Sequence, residues 1–251
     1  MIAGYEQVWS PTCLAGRVAV VTGTSSGVGA EAARALAAVG ARVYAFSRGD
    51  GPAEADGVTV LRADAGSETE IRQAVAEVVA REGHVDIAVG NAARYTTKRF
   101  TDMDTDTWLG ELGVNLNGVY HLFRAVLDHP AAVPDRSLIA IGSTAGERGG
   151  SLGHVPYGVA KAGLQGLCKG LAREVGELGV RVNVLALGTV DGTVNAQEAH
   201  RLKGANYGKA NALHRAAHVS EIAHSIVYLA SPASSFVTGS VMRADGGGLY
   251  G

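Results

Sequence analysis

A chain of 251 residues with 47% apolar and 18% charged side chains has enough apolar material for a large core and is not composed like a disordered segment. Its formal net charge of −2, with no block of like charge, gives no reason to expect nucleic acid or an anionic membrane as partner. The two cysteines, Cys13 and Cys168, have no metal-ligand spacing and read as reduced thiols, so a cytoplasmic location is expected and no metal.

Residues 1–16 read as a lead-in broken by Pro11 and Gly16. Glu6, with no basic stretch followed by a long apolar run, argues against a signal peptide. No segment reaches a membrane-spanning length free of charge. Residues 17–251 read as one domain. Residues 17–22 are short, β-branched and apolar, as a buried strand should be. A glycine-rich turn follows at 23–29, then an alanine-rich helix over 30–39 that Gly40 stops. Strands are predicted at 41–46 and 58–61. Ser67 and Glu70 have the form of a capping box, which opens a helix to about 81, and a strand follows at 85–89.

The alternation continues with a mostly helical stretch over 105–128, a strand at 137–141 and a helix over 155–176. A strand at 181–185 precedes an irregular stretch at 189–215. A helix at 220–229 and a last strand at 240–243 complete the chain. Apolar strands alternating with amphipathic helices predict an α/β fold, a doubly wound, Rossmann-like parallel sheet with helices on both faces. The 35 glycines fall between periodic segments and form no low-complexity tract.

Ligands of such sheets bind at the carboxyl ends of the strands. The first strand runs into Thr22-Gly23-Thr24-Ser25-Ser26-Gly27-Val28-Gly29. Glycines permit positive φ and close backbone approach, and the helix that follows offers free N–H groups to a pyrophosphate. The spacing is G-x-x-x-G-x-G, and no Gly-Lys-Ser/Thr of a nucleoside-triphosphate loop is present. The second strand ends Phe46-Ser47-Arg48, without the carboxylate that would hold the ribose hydroxyl of NAD. Arg48 suits a 2′-phosphate, which favours NADP(H), with NAD(H) as the alternative that nearby Asp50 keeps open. Asp64 either accepts from the adenine amino group or caps a turn.

Tyr157 and Lys161 stand four residues apart and share a helix face. A fixed positive charge favours the phenolate, and a phenol with a lowered pKa works as a general acid–base near neutral pH. A chance surface pair is the alternative reading of this spacing alone.

With these motifs in sequence order, the chain resembles the short-chain dehydrogenase/reductase family, in its compact single-domain branch, from about residue 17 to 247. The glycine turn is similar to that family's cofactor loop, and Gly90-Asn91-Ala92-Ala93 to its Asn-Asn-Ala-Gly motif with two departures. Asn115, Ser143, Tyr157 and Lys161 match the family's catalytic residues. The resemblance implies that Ser143 holds a carbonyl oxygen, Tyr157 passes the proton, Lys161 lowers the phenol pKa and binds the nicotinamide ribose, and Asn115 holds a water. It further implies cofactor contacts from Gly23, Ser25 to Gly29, Ser47, Arg48, Asp64, Ala65, Asn91, Ala92, Gly188, Val190 and Thr193. Leu187-Gly188 stands where the family has Pro-Gly, and Asp191-Gly192 leaves Thr193 in reach of either the pyrophosphate or the carboxamide.

The implied activity is hydride transfer between NADP(H) and a small, polar or cyclic ketone or its secondary alcohol. NAD-dependent alcohol oxidation and a non-catalytic dinucleotide sensor are the alternatives. Arg94, Tyr95, Arg148 and His154 fall on loops expected to ring the substrate. A lid is expected at about 191–215, carrying Glu198, His200, Arg201, Lys203, Lys209, His214 and Arg215. The 147–151 stretch runs one residue longer than the family norm. His121 and Leu178 stand about where carrier-protein reductases of this branch tend to present arginines, which argues for a free ketone. A homo-oligomer, tetramer or dimer, built on the two long helices is expected.

Overall fold

The computed structural model describes residues 10–49, 57–129, 135–193 and 208–249. Glu6, Asp50 and the lid residues Glu198, His200, Arg201 and Lys203 lie outside them. The strands are β1 (Val18–Thr22), β2 (Arg42–Ser47), β3 (Val58–Arg62), β4 (Ile87–Gly90), β5 (Arg136–Ser143), β6 (Val180–Leu187) and β7 (Val241–Ala244). All pair in parallel, in the order β3-β2-β1-β4-β5-β6-β7. This is the expected doubly wound sheet.

Between the strands run α1 (Gly27–Ala38), α2 (Glu68–Glu82), α3 (Thr105–Leu112), α4 (Gly118–Leu127), the short α5 (Ala145–Arg148), α6 (Val155–Val175) and α7 (Val219–Ala230). Strand residues alternate between two cores. Val18 and Val20 face Ile71 of α2, Phe123 of α4 and Leu164 of α6. Ala19 and Val21 face Leu36 of α1 and Ile226 of α7. Both faces of the sheet are therefore dry, which is why its strands read as continuous apolar runs. No described helix is long and apolar enough to cross a membrane.

Three local expectations need correction. Helix α1 begins at Gly27, three residues before the alanine run, because first-turn N–H groups need no intrahelical partner and glycine fits there. The predicted capping box forms by half. Ser67 Oγ accepts from Glu70 N at 3.3 Å, but the Glu70 carboxylate accepts from Asp64 N at 3.0 Å. The stretch 105–128 is not one regular helix. A π-type turn over Gly113–Asn117 joins α3 to α4. Gly118 lets this junction close on the loop after β3, where a Cβ would stand 2.9 Å from the Ala65 carbonyl oxygen. Such turns inside helices commonly mark sites of function.

Candidate active site

Strand order reverses between β1 and β4, so a crevice opens beyond their carboxyl ends. A cleft of about 1280 Å³ lies there. One end is lined by Gly23, Ser25 to Val28, Ser47, Arg48, Asp64 and Ala65, and the other by Ser143, Tyr157 and Lys161. Asn91, Ala92, Gly188, Val190 and Thr193 line the stretch between.

The glycine turn is shaped by contact. Gly23 and Gly27 have φ of +70° and +60°, which L side chains rarely adopt. A Cβ on Gly23 would stand 2.6 Å from Ala92 Cα, and one on Gly29 2.2 Å from the Gly23 oxygen. Gly29 therefore does not line the cleft; it lets α1 close on the turn from behind. Asn91 Nδ2 donates to the Thr22 and Gly23 carbonyls, both at 3.0 Å. Thr22 Oγ1 accepts in return from the Asn91 and Ala92 amides at 3.0 and 3.1 Å. The matched pair of loops presents the start of α1 to the cleft, a setting that fits a pyrophosphate. At the adenosine end Arg48 is exposed beside the buried Ser47, whose hydroxyl donates to the Gly49 carbonyl. Asp64 Oδ1 accepts from Gly66 N at 2.9 Å, so it caps a turn while lining the cleft. The volume and the cradle of backbone fit a dinucleotide, with the exposed Arg48 on the rim at its adenosine end.

At the other end, Ser143 closes β5 and its Oγ accepts from Ala145 N at 3.1 Å. Tyr157 and Lys161 stand one turn apart on α6. Two glycines bring that helix close. A Cβ on Gly146 would meet Lys161 backbone at 2.7 Å, and one on Gly158 would meet Gly149 at 2.6 Å. Tyr157 lines the cleft beside Ser143, whereas Lys161 is buried with Nζ donating to the Ile141 carbonyl at 2.7 Å. Nζ lies 5.5 Å from the Tyr157 ring centroid.

The charges here differ from the expectation that the lysine depresses the phenol. Burial pushes the Tyr157 phenol up to about 12, with the Ser143 hydroxyl acting against it and the Glu111 carboxylate adding to it. Burial likewise pushes the Lys161 ammonium down to about 8. Both groups are removed from water, and desolvation outweighs the attraction of the pair.

Asn115 sits in the π-type turn, fully buried behind the cleft wall rather than on it. Its Oδ1 accepts from Arg94 N at 2.9 Å, and its Nδ2 donates to Arg94 O at 2.8 Å and Glu111 Oε2 at 3.1 Å. The side chain is thus spent on positioning the loop after β4, and any water held here would need the backbone. Glu111 itself was not singled out from the sequence. The signal was a carboxylate four residues before Asn115, on the same helix face.

The four candidate substrate residues all line the cleft. The Tyr95 ring stacks on His154 at 4.1 Å between centroids and meets Tyr157 edge-on at 5.0 Å. His154 is buried, its Nε2 is 3.0 Å from Thr97 Oγ1, and its Nδ1 has no hydrogen-bond partner. Arg94 is exposed and lies over Gly110, where a Cβ would stand 2.5 Å from Nη1. Arg148 donates to the Gly248 carbonyl, which ties the 147–151 loop to the C-terminal segment. Leu109, Gly110 and Leu152, none anticipated, add an apolar border. Thr193 Oγ1 donates to the Val190 carbonyl at 3.1 Å, and Gly192 and Thr193 pass over Gly27. Among the described residues no cluster of metal-ligating side chains occurs.

The family model described as enoyl-(acyl carrier protein) reductase matches residues 23–248. A 3-oxoacyl-(acyl-carrier-protein) reductase FabG of Pseudomonas aeruginosa is 32% identical, over 93% of this chain and 98% of its own length. An acetoacetyl-CoA reductase of Rhizobium meliloti is 33% identical, over 93% of this chain and 99% of its own. Among solved structures, a blue fluorescent protein from a metagenomic library, in complex with NADPH, superposes with a TM-score of 0.84 at 28% identity, covering 94% of this chain and 99% of that one.

Proposed function

Because this chain belongs to the short-chain dehydrogenase/reductase family and is an oxidoreductase of that type, we propose that it moves a hydride between NADP(H) and a small ketone or its secondary alcohol. The observation that carries this reading is the convergence of Ser143 and Tyr157, with Lys161 one turn on, at one end of a cleft whose other end is the glycine turn. Arg48 beside that turn, in place of a carboxylate, supports the phosphorylated nucleotide. NADPH is also what the similar metagenomic protein holds in its solved structure.

The chemistry that the bound nucleotide supplies is donation or uptake of the hydride. In reduction, Ser143 Oγ donates a hydrogen bond to the substrate carbonyl and holds its carbon toward the middle of the cleft. Tyr157 Oη gives its proton to the oxygen as the hydride reaches carbon, so one carbonyl becomes one alcohol. Lys161 holds positive charge beside the phenolate left behind, and the step ends when that phenolate takes a proton from solvent water. In oxidation the same groups work in reverse. A free ketone suits the rim better than an acyl carrier protein. His121 is half-buried and uncharged at neutral pH, its pKa lowered by burial, and the exposed Leu178 offers no charge.

The experiment is a panel of cyclic and acyclic ketones and alcohols run with NADPH, NADH and their oxidised forms, on the wild type and Tyr157→Phe. We expect NADPH-dependent turnover of a ketone, lost by about 10²- to 10⁴-fold in the variant with NADPH affinity kept. Unchanged turnover in Tyr157→Phe would sink the mechanism. Tenfold tighter NADH binding would overturn the role of Arg48. NADPH binding without turnover across the panel would favour the sensor.

A further inference from the structure

Glu111 lies on α3 with no solvent exposure, and an apolar residue would fill that helix face without the cost of burying a carboxylate. Its Oε2 accepts from Asn115 Nδ2 at 3.1 Å, while the equally buried Oε1 has no hydrogen-bond partner. From there a continuous path leads to the reaction. Asn115 clamps both backbone groups of Arg94, at 2.9 and 2.8 Å. The next residue is Tyr95, whose ring sits edge-on against Tyr157 and stacked on His154. The loop is therefore gripped at Arg94 by Asn115, which Glu111 holds in turn.

We propose that Glu111 is a positioning residue for the reaction: its buried carboxylate anchors Asn115 and, through it, the loop at Arg94, and so fixes the Tyr95 ring against Tyr157. This rests on the reading of Tyr157 as the proton donor. The charged and titratable groups that face the carboxylate are Arg94 from the loop, His154 from before α6, and Tyr157 from α6. Burial raises the Glu111 pKa, while Thr96, Arg94 and His154 act to lower it. At any pH where the carboxylate is charged, it disfavours a second negative charge on Tyr157 and so favours the neutral phenol that ketone reduction consumes.

Two substitutions separate anchoring from charge. Glu111→Gln keeps an oxygen for Asn115 and removes the charge, whereas Glu111→Leu removes both. The phenol is read without any substrate, by tyrosinate absorbance after rapid jumps to alkaline pH. Subtracting the same variant carrying Tyr157→Phe isolates it from the other tyrosines of the eight. The loop is read by amide hydrogen exchange over 92–97. In Glu111→Gln the Tyr157 titration moves to lower pH and loop exchange stays as in the wild type. In Glu111→Leu loop exchange speeds up by about tenfold or more, with β1 unaffected. An unmoved Tyr157 titration in Glu111→Gln, or wild-type loop exchange in a folded Glu111→Leu, overturns the proposal. If Glu111→Leu does not fold, the titration of the isosteric Glu111→Gln decides alone. Full turnover in Tyr157→Phe would defeat the reading of the reaction and leave these two measurements interpretable.

Discussion

Gly29→Ala tests whether the cofactor turn is set by close contact. The new Cβ would stand 2.2 Å from the Gly23 carbonyl oxygen, 2.4 Å from Asn91 Nδ2 and 2.9 Å from the Gly23 carbonyl carbon. Two of those atoms are backbone, and the third donates to that same Gly23 oxygen at 3.0 Å. No flexible side-chain end is available to yield, so the turn itself must shift. Overpacking of this kind costs about 1–3 kcal/mol. Losing the Asn91 bond adds about 0.5–1.5 kcal/mol. A loss of about 1.5–4.5 kcal/mol lowers the melting temperature of a domain this size by roughly 3–18 °C. Because the displaced oxygen belongs to the turn that faces the pyrophosphate, NADPH affinity should fall at least about tenfold, equivalent to about 1.4 kcal/mol. Gly170→Ala is the control. It is an exposed position on α6 where a Cβ meets nothing within 4 Å, and there alanine should stabilise by about 0.5–1 kcal/mol. Thermal melts by circular dichroism and NADPH fluorescence titration read both variants. A Gly29→Ala protein that melts within about 2 °C of wild type and binds NADPH normally would refute the contact argument.

Lys161 should leave a signature in stability against pH. Its folded pKa of about 8 lies below its ordinary value of 10.5, so between those values the unfolded chain binds more protons than the native one. Stability therefore rises as pH goes from 8 to 10.5, by up to about 3 kcal/mol from this group, and Lys161→Met should lose that rise in urea unfolding curves. An identical pH slope in the variant would contradict it. Cys168, which burial pushes up to about 12, should resist thiol reagents in the native state and label only at the rate of opening, whereas partly buried Cys13 labels first. Labelling of native Cys168 at the pace of Cys13, followed by mass spectrometry, would contradict that reading.

Much of the fold was legible because dry strands and amphipathic helices write different periods into the chain. Strands β1 to β7 fall within a residue or two of their predicted places for that reason. The residues of the cleft were legible where chemistry is local, as with Tyr157 and Lys161 four apart on α6. The π-type turn at Gly113–Asn117 was not legible, since one extra residue in a helical turn leaves the apolar pattern of 105–128 almost unchanged. Nor was the role of Glu111, because it depends on Arg94 arriving from another element to meet Asn115. Its burial is a property of the packed molecule.

The same distinction decides the charge of the site. Spacing alone says that an ammonium near a phenol stabilises the phenolate, and that inference assumes both groups keep the solvation of a surface helix. On α6 they do not. Gly146 and Gly158 draw the helix against α5 and the turn after it, Lys161 turns its Nζ to the Ile141 carbonyl, and removal of water dominates both groups. The phenol then rises and the ammonium falls, so at neutral pH the resting pair is a neutral phenol beside a lysine that still carries its proton. That is the state a ketone reductase needs before each turnover, a donor with its proton in place and a positive charge ready to offset the phenolate. Glu111 pushes in the same direction, because its carboxylate disfavours phenolate. Desolvation of Tyr157 and Lys161, more than their spacing, sets the charge of the resting pair.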